Sequence, residues 1–252
     1  MTVHEFGKEN DTCIVLIHPS LVMWDYFERV IPLLEKDYHL IIPALPGYEP
    51  RSGEDFTSVE QIADELASWL NAHECHEIAC LYGCSMGGSV VTKMLAENKL
   101  NVYTAVLDGG ITPYQLPWII TRLIAVKDFC MISLGKIGGI RLLEKAFATD
   151  EYSKEDLQYM ADIFKWLSYK TIWRTFESCN NYQMPAQVHT NCRSIQYWYG
   201  DKEKKERRLD LRYIRQYLPE TKFVCMKNLG HGGMMLQRSE ETAKRLRKLI
   251  EG

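Results

Sequence analysis

The sequence has eight cysteines but no C-x-x-C pair, and no second cluster of ligating side chains accompanies His73, Cys75 and His76. A tetrahedral zinc site draws four ligands from spaced pairs, so this triplet, at a helix-to-strand handover, is not expected to hold a metal. No positively charged segment followed by an apolar run stands at the start, which reads Met1-Thr2-Val3-His4-Glu5-Phe6-Gly7. A secretory signal is therefore not expected, and the thiols are expected to be reduced in a cytoplasmic protein. Long uninterrupted apolar runs are also missing. The longest candidate, residues 116–134, is broken by Arg122, Lys127 and Asp128 and reads as a buried or amphipathic helix pair, not a membrane span. Charge of one sign is not in excess: the net charge is −3. The basic clusters at 202–208 and 244–248 read as solvated faces, the first because Glu203 and Glu206 interleave it. Neither nucleic acid nor a membrane is expected as a partner. No tract is dominated by Gly, Ser or Pro, and no internal repeat is apparent.

What is present is an alternation of short apolar runs with longer helical patterns. Residues 12–17, 40–43, 77–82, 103–107, 194–199 and 221–226 read as strands, nearly continuous in apolar character. Strands covered on both faces by helices have that signature. Between them, residues 24–34, 59–72, 86–97, 211–218 and 239–250 read as helices. This alternation predicts an α/β fold with a mostly parallel, doubly wound sheet. Residues 111–189 break the rhythm with no convincing strand and many aromatic residues, from Trp118 through Phe147 to Phe176. A structureless loop of that length is improbable, so the segment reads as a helical insertion whose aromatic residues mostly form its own core. The expected division is a core of residues 1–110 and 190–252 and a cap of 111–189. A minority of the aromatic residues is expected to line a pocket where the two meet.

The chemistry concentrates at Gly83-Cys84-Ser85-Met86-Gly87-Gly88. Gly83-x-Ser85-x-Gly87 follows an expected strand and opens an expected helix, the context a nucleophile elbow requires. Small residues two positions either side let the backbone come close, and the helix N-terminus favours developing negative charge.

In these features the chain resembles the α/β-hydrolase superfamily, in its form with a helical cap. The resemblance covers nearly the whole chain and implies the order nucleophile, acid, histidine. It places the nucleophile at Ser85 and the general base at His231, in Asn228-Leu229-Gly230-His231-Gly232-Gly233 after the last expected strand. The acid follows a strand and a glycine in relatives. Gly200-Asp201-Lys202-Glu203 favours Glu203 over its rival Asp201, with Asp108, after another strand, a distant third. The oxyanion donors implied are the Met86 amide and one from His18-Pro19-Ser20. Pro19 stands where relatives carry glycine and has no N–H, so Ser20 is the favoured second donor and Leu21 the fallback. His18 is expected to be structural. Pro43-Ala44-Leu45-Pro46-Gly47 departs from a related turn by carrying alanine for aspartate, with loop anchoring the expected consequence.

The resemblance implies a serine hydrolase that cleaves a small or medium hydrophobic carboxylic ester through a triad and an acyl-enzyme. The alternatives are a carbon–carbon-bond hydrolase or acyltransferase with the same triad, or a non-catalytic small-molecule receptor on the same fold. Serine at the elbow argues against the aspartyl-nucleophile chemistry of epoxide hydrolases and haloalkane dehalogenases. No cofactor is expected, the expected partner is a small-molecule acyl substrate, and a homodimer is left open.

Overall fold

The structure is a computed structural model that describes residues 1–50, 52–146 and 152–252. Its strands are β1 (Thr2–Phe6), β2 (Cys13–Ile17), β3 (His39–Ala44), β4 (Glu77–Cys84), β5 (Asn101–Asp108), β6 (Ser194–Gly200) and β7 (Lys222–Met226). They form one sheet in the order β1-β3-β2-β4-β5-β6-β7. Only the β1–β3 pair is antiparallel; the others run parallel. Every residue of β2 is buried, as are the last five of β4 and of β5, because helices cover both faces at the centre.

The helices are α1 (Ile31–Leu34), α2 (Val59–Ala72), α3 (Met86–Glu97), α4 (Trp118–Ala146), α5 (Lys154–Trp166), α6 (Tyr169–Asn181), α7 (Arg208–Tyr217), α8 (Gly233–Gln237) and α9 (Ser239–Glu251). Serine starts several of them. The Ser58 hydroxyl accepts the Gln61 amide at α2, Ser153 and Asp156 form a reciprocal capping box at α5, and the Ser168 hydroxyl accepts the Thr171 amide at α6. Helices α4 to α6 lie between β5 and β6 as a helical insertion. Hydroxyls of α6 tie it to the core: Thr171 Oγ1 accepts the Phe56 amide (3.0 Å) and Ser178 Oγ the Val59 amide (2.9 Å). Among the described residues no helix is long and apolar enough to cross a membrane.

Four sequence expectations need correction. β1 was not anticipated, because only Val3 and Phe6 give it strongly apolar character; its pairing with β3, from Thr2 opposite Ala44 to Phe6 opposite Leu40, makes it a strand. Residues 24–34 are not one helix. A 3-10 turn at Trp24–Phe27 precedes the short α1, where Pro32 has no N–H to bond back into a preceding turn. The expected helix pair within 116–134 is one helix, since neither Gly nor Pro interrupts 118–134; the kink falls later, at Gly139 (φ 59°, ψ −155°). The insertion's aromatic residues are divided in their surroundings: Phe164 is buried, whereas Trp118 is 65% exposed. Phe147 lies outside the described residues.

Candidate active site

β4 sits in the middle of the sheet and delivers the chain to Ser85 at its C-terminal end, the end at which open α/β sheets form their ligand crevices. Ser85 has φ 51° and ψ −113°, a left-handed conformation that a non-glycine residue holds at a cost of about 1–3 kcal/mol. The turn is held by the Ser85 amide donating to the Asp108 carbonyl (2.9 Å) and by the Ser85 carbonyl accepting from Ile111 (3.2 Å). A Cβ on Gly83 would stand 2.3 Å from the Gly87 carbonyl oxygen, and one on Gly87 2.2 Å from that of Ile17. Both positions therefore require glycine if the helix is to turn back this tightly. Ser85 lines a cavity of about 480 Å³ together with His231.

His231 lines this cavity from the loop after β7, and Glu203 meets that histidine from the turn after β6. The turn after β6 and the loop after β7 are joined by the Asp201 amide on the Met226 carbonyl (2.9 Å) and the Lys202 amide on the Leu229 carbonyl (3.2 Å). His231 Nδ1 lies 2.6 Å from Glu203 Oε2, while Glu203 Oε1 accepts the Gly200 amide at 3.0 Å. Burial pushes the Glu203 carboxyl up. The charge and hydrogen bond of His231, with Arg207 and the Gly200 amide, outweigh burial and hold it below the ordinary glutamate value. Glu203 is thus a buried carboxylate kept charged. Two phenols fix the histidine loop: Tyr26 donates to the Gly232 carbonyl (2.9 Å) and Tyr152 to that of His231 itself (3.0 Å).

The rival carboxylates lie elsewhere. Asp201 is exposed, and backbone amides led by that of Asn228 hold its carboxyl below the ordinary value. Asp108 is buried at the end of β5, where Tyr82 donates to its Oδ2 at 2.5 Å. Burial, with the charge of Glu203 adding to it, pushes Asp108 up to about 7. Its folded value is above the unfolded 3.8, so the protonated form contributes stability that is full below about pH 4 and lost as pH rises through 7. Relative to Asp108→Asn, wild-type stability should therefore fall by about 4 kcal/mol across that window. Urea unfolding of both proteins at several pH values measures it; parallel curves would refute it.

Met86 is the first residue of α3, so its amide has no acceptor within the helix. Pro19, Ser20 and Leu21 all line the cavity. Leu21 takes a left-handed backbone conformation in this loop (φ 68°). His18 secures that loop. The Leu45 amide donates to its Nε2 (3.3 Å), so Nδ1 carries the proton and donates to the Pro19 carbonyl (2.8 Å). Burial lowers its pKa to about 4, keeping the ring neutral. Ala44 is buried in β3 opposite Thr2, and the turn that follows it is anchored at Leu45 by His18.

Two neighbours of the site were not singled out from sequence. Arg207, read as part of a solvated basic cluster, is instead largely buried: its guanidinium lies 3.5 Å from Glu203 and 3.3 Å from Asp210, and donates to the Gly109 carbonyl (3.1 Å). The i, i+4, i+7 spacing of Glu203, Arg207 and Asp210 was the available signal. Gly109 (φ 57°) packs so closely that a Cβ there would stand 2.8 Å from His231 Nδ1. Nothing in its local sequence announces that contact.

A model of the Alpha/beta hydrolase family matches residues 14–245. The chain belongs to the α/β-hydrolase family. Solved structures agree on the fold across its whole length. An α/β-hydrolase family protein from Desulfitobacterium hafniense is 21% identical, with 99% of this chain and 100% of that one covered and a TM-score of 0.76. A carboxylesterase of the thaumarchaeon Nitrososphaera gargenis is 18% identical (99% and 93% covered, TM-score 0.78). The epoxide hydrolase CorEH is 13% identical (99% and 94% covered, TM-score 0.72). At these identities the likeness concerns the fold, and one α/β-hydrolase scaffold carries different chemistries in its relatives.

Proposed function

We propose that this α/β hydrolase is a serine hydrolase that cleaves small or medium hydrophobic carboxylic esters, with Ser85, His231 and Glu203 as its triad. The observation that carries the reading is the 2.6 Å contact of His231 Nδ1 with buried, charged Glu203, on the rim of the cavity that Ser85 lines. With Nδ1 committed to the carboxylate, Nε2 is the nitrogen free to take a proton from serine.

In the proposed cycle His231 Nε2 accepts the Ser85 proton as Oγ attacks the ester carbonyl carbon. The amides of Met86 and Ser20 hold the tetrahedral oxyanion. Collapse breaks the bond to the alkoxy group, which leaves as an alcohol with the proton from His231. Water then gives its proton to His231 and attacks the acyl carbon, releasing the carboxylic acid and restoring Ser85. Glu203 keeps the imidazole in the accepting tautomer and stabilises the imidazolium. A cavity of about 480 Å³, walled on the insertion side by Met131, Ile132, Met160 and Phe176, supports an apolar acyl or alcohol group of modest size. Serine at the elbow supports acyl-enzyme chemistry over the aspartyl ester route.

A fluorophosphonate probe tests the reading directly. The expected result is one covalent adduct per chain, mapped by peptide mass spectrometry to Ser85, with turnover of nitrophenyl esters that peaks at short or medium acyl length. No adduct and no ester turnover would overturn it in favour of a ligand-binding role.

A further inference from the structure

Two polar side chains on the cavity wall take no part in the triad or in holding the fold. Asn180, the next-to-last residue of α6, is 3% exposed and lines the cavity. Its side-chain amide makes no hydrogen bond among the described residues. The amide is not sealed off either, so the little surface it keeps opens into the cavity. Tyr114 lines the cavity beside it, and its backbone amide donates to the Asn180 carbonyl (2.9 Å). The Tyr114 hydroxyl likewise has no hydrogen-bond partner among the described residues. Both stand close to the reacting centre. The Ser85 carbonyl accepts the Ile111 amide (3.2 Å), and Tyr114 follows three residues later, a reach of at most about 11 Å.

We propose that Asn180 and Tyr114 form a subsite for an uncharged group that both donates and accepts hydrogen bonds, a hydroxyl or a carboxamide on the substrate's chain. Calling that ligand a substrate rests on the ester-cleaving reading; the binding does not. An asparagine amide carries two donors and an acceptor, and a phenol donates one bond and accepts others. A ligand that lacks either function leaves one of these groups unpaired in a largely desolvated wall, and that is what makes the pair selective. Charge selects against ions of either sign. Asp210 and Asp128 set negative charge against the Tyr114 hydroxyl, and Arg207 sets positive charge there. Arg207 already lies against Glu203 (3.5 Å) and Asp210 (3.3 Å), so a ligand carboxylate would bring a third anion to one cation. An ammonium group would instead meet the guanidinium that lines the same cavity. The hydrocarbon part of the ligand has Phe176 of α6 and Met131 of α4 to pack on.

Calorimetric titration of the Ser85→Ala chain reads the subsite whether or not Ser85 is a nucleophile. Hexanamide and 1-hexanol carry the two uncharged groups on one chain length, and hexanoate and hexylammonium are the charged controls. The better of the two uncharged ligands is expected to bind about ten-fold tighter than either ion, and its identity separates carboxamide from hydroxyl. Adding Asn180→Leu should reduce that preference to about two-fold or less. Adding Tyr114→Phe, which removes the hydroxyl alone, should weaken the uncharged ligand about three-fold, and this milder variant decides the matter if Asn180→Leu fails to fold. No binding of either uncharged ligand, tighter binding of an ion, or a preference that survives both variants would each overturn the proposal. Failure of the fluorophosphonate probe to label Ser85 would remove ester cleavage and leave the subsite standing.

Discussion

Ser85→Ala is expected to lower kcat on a nitrophenyl ester by about 10⁶-fold, with KM changed only a few-fold. The magnitude follows from what the substitution removes. Without Oγ there is no acyl-enzyme, and His231 has no proton to take; the amides of Met86 and Ser20 still surround the carbonyl, so weak attack by water remains. The substrate cavity is formed by other residues, which is why binding persists. Ser85 also occupies a strained backbone position (φ 51°), and alanine is no better suited to it, so the fold should tolerate the change. Melting temperature measured alongside kcat separates lost chemistry from lost structure. Retention of more than a hundredth of the activity in a folded variant would rule out Ser85 as the nucleophile.

Glu203→Gln is expected to reduce kcat by about 10⁴-fold, while Asp201→Asn stays within three-fold of wild type. The carboxylates are two residues apart, yet their surroundings are opposite. Glu203 is buried against the imidazole, charged, and supported by Arg207 and the Gly200 amide. Its amide analogue cannot stabilise an imidazolium, and when it offers its NH₂ to Nδ1 it favours the tautomer that puts the proton on Nε2, where it is useless for accepting one from serine. Asp201 is exposed and satisfied by backbone amides of the histidine loop, so its neutral analogue should disturb that loop only slightly. Steady-state kinetics on both variants decides the matter; a larger loss in Asp201→Asn would reverse the assignment. Because the Gln variant keeps the side-chain volume, a cavity artefact is avoided.

The parts of this molecule legible in its sequence are those set by neighbours along the chain. The elbow is one: β4, the turn at Ser85 and α3 are consecutive, and Gly83 and Gly87 lie within two residues of the serine. The apolar runs of the central strands are another, since burial on both faces leaves a continuous pattern that needs no knowledge of partners. β1 escaped because an edge strand has one neighbour and a half-exposed side, so its apolar signal is weak. The continuous α4 was misjudged as a pair because charged residues within 116–134 suggested a break, whereas a helix exposed along one side accommodates them.

Ser85 and the parallel sheet that carries it were therefore determined by sequence alone, because strand, turn and helix propensities act over a few residues. The resemblance favoured Glu203 as the carboxylate that meets His231, whereas the burial of Arg207 and the contact of Gly109 with the imidazole were decided only by tertiary structure. Each depends on the register of β5, β6 and β7 or on the docking of the insertion. Those relations join residues far apart in the chain, such as Gly109 with Arg207 and with His231, and local pattern carries little record of them.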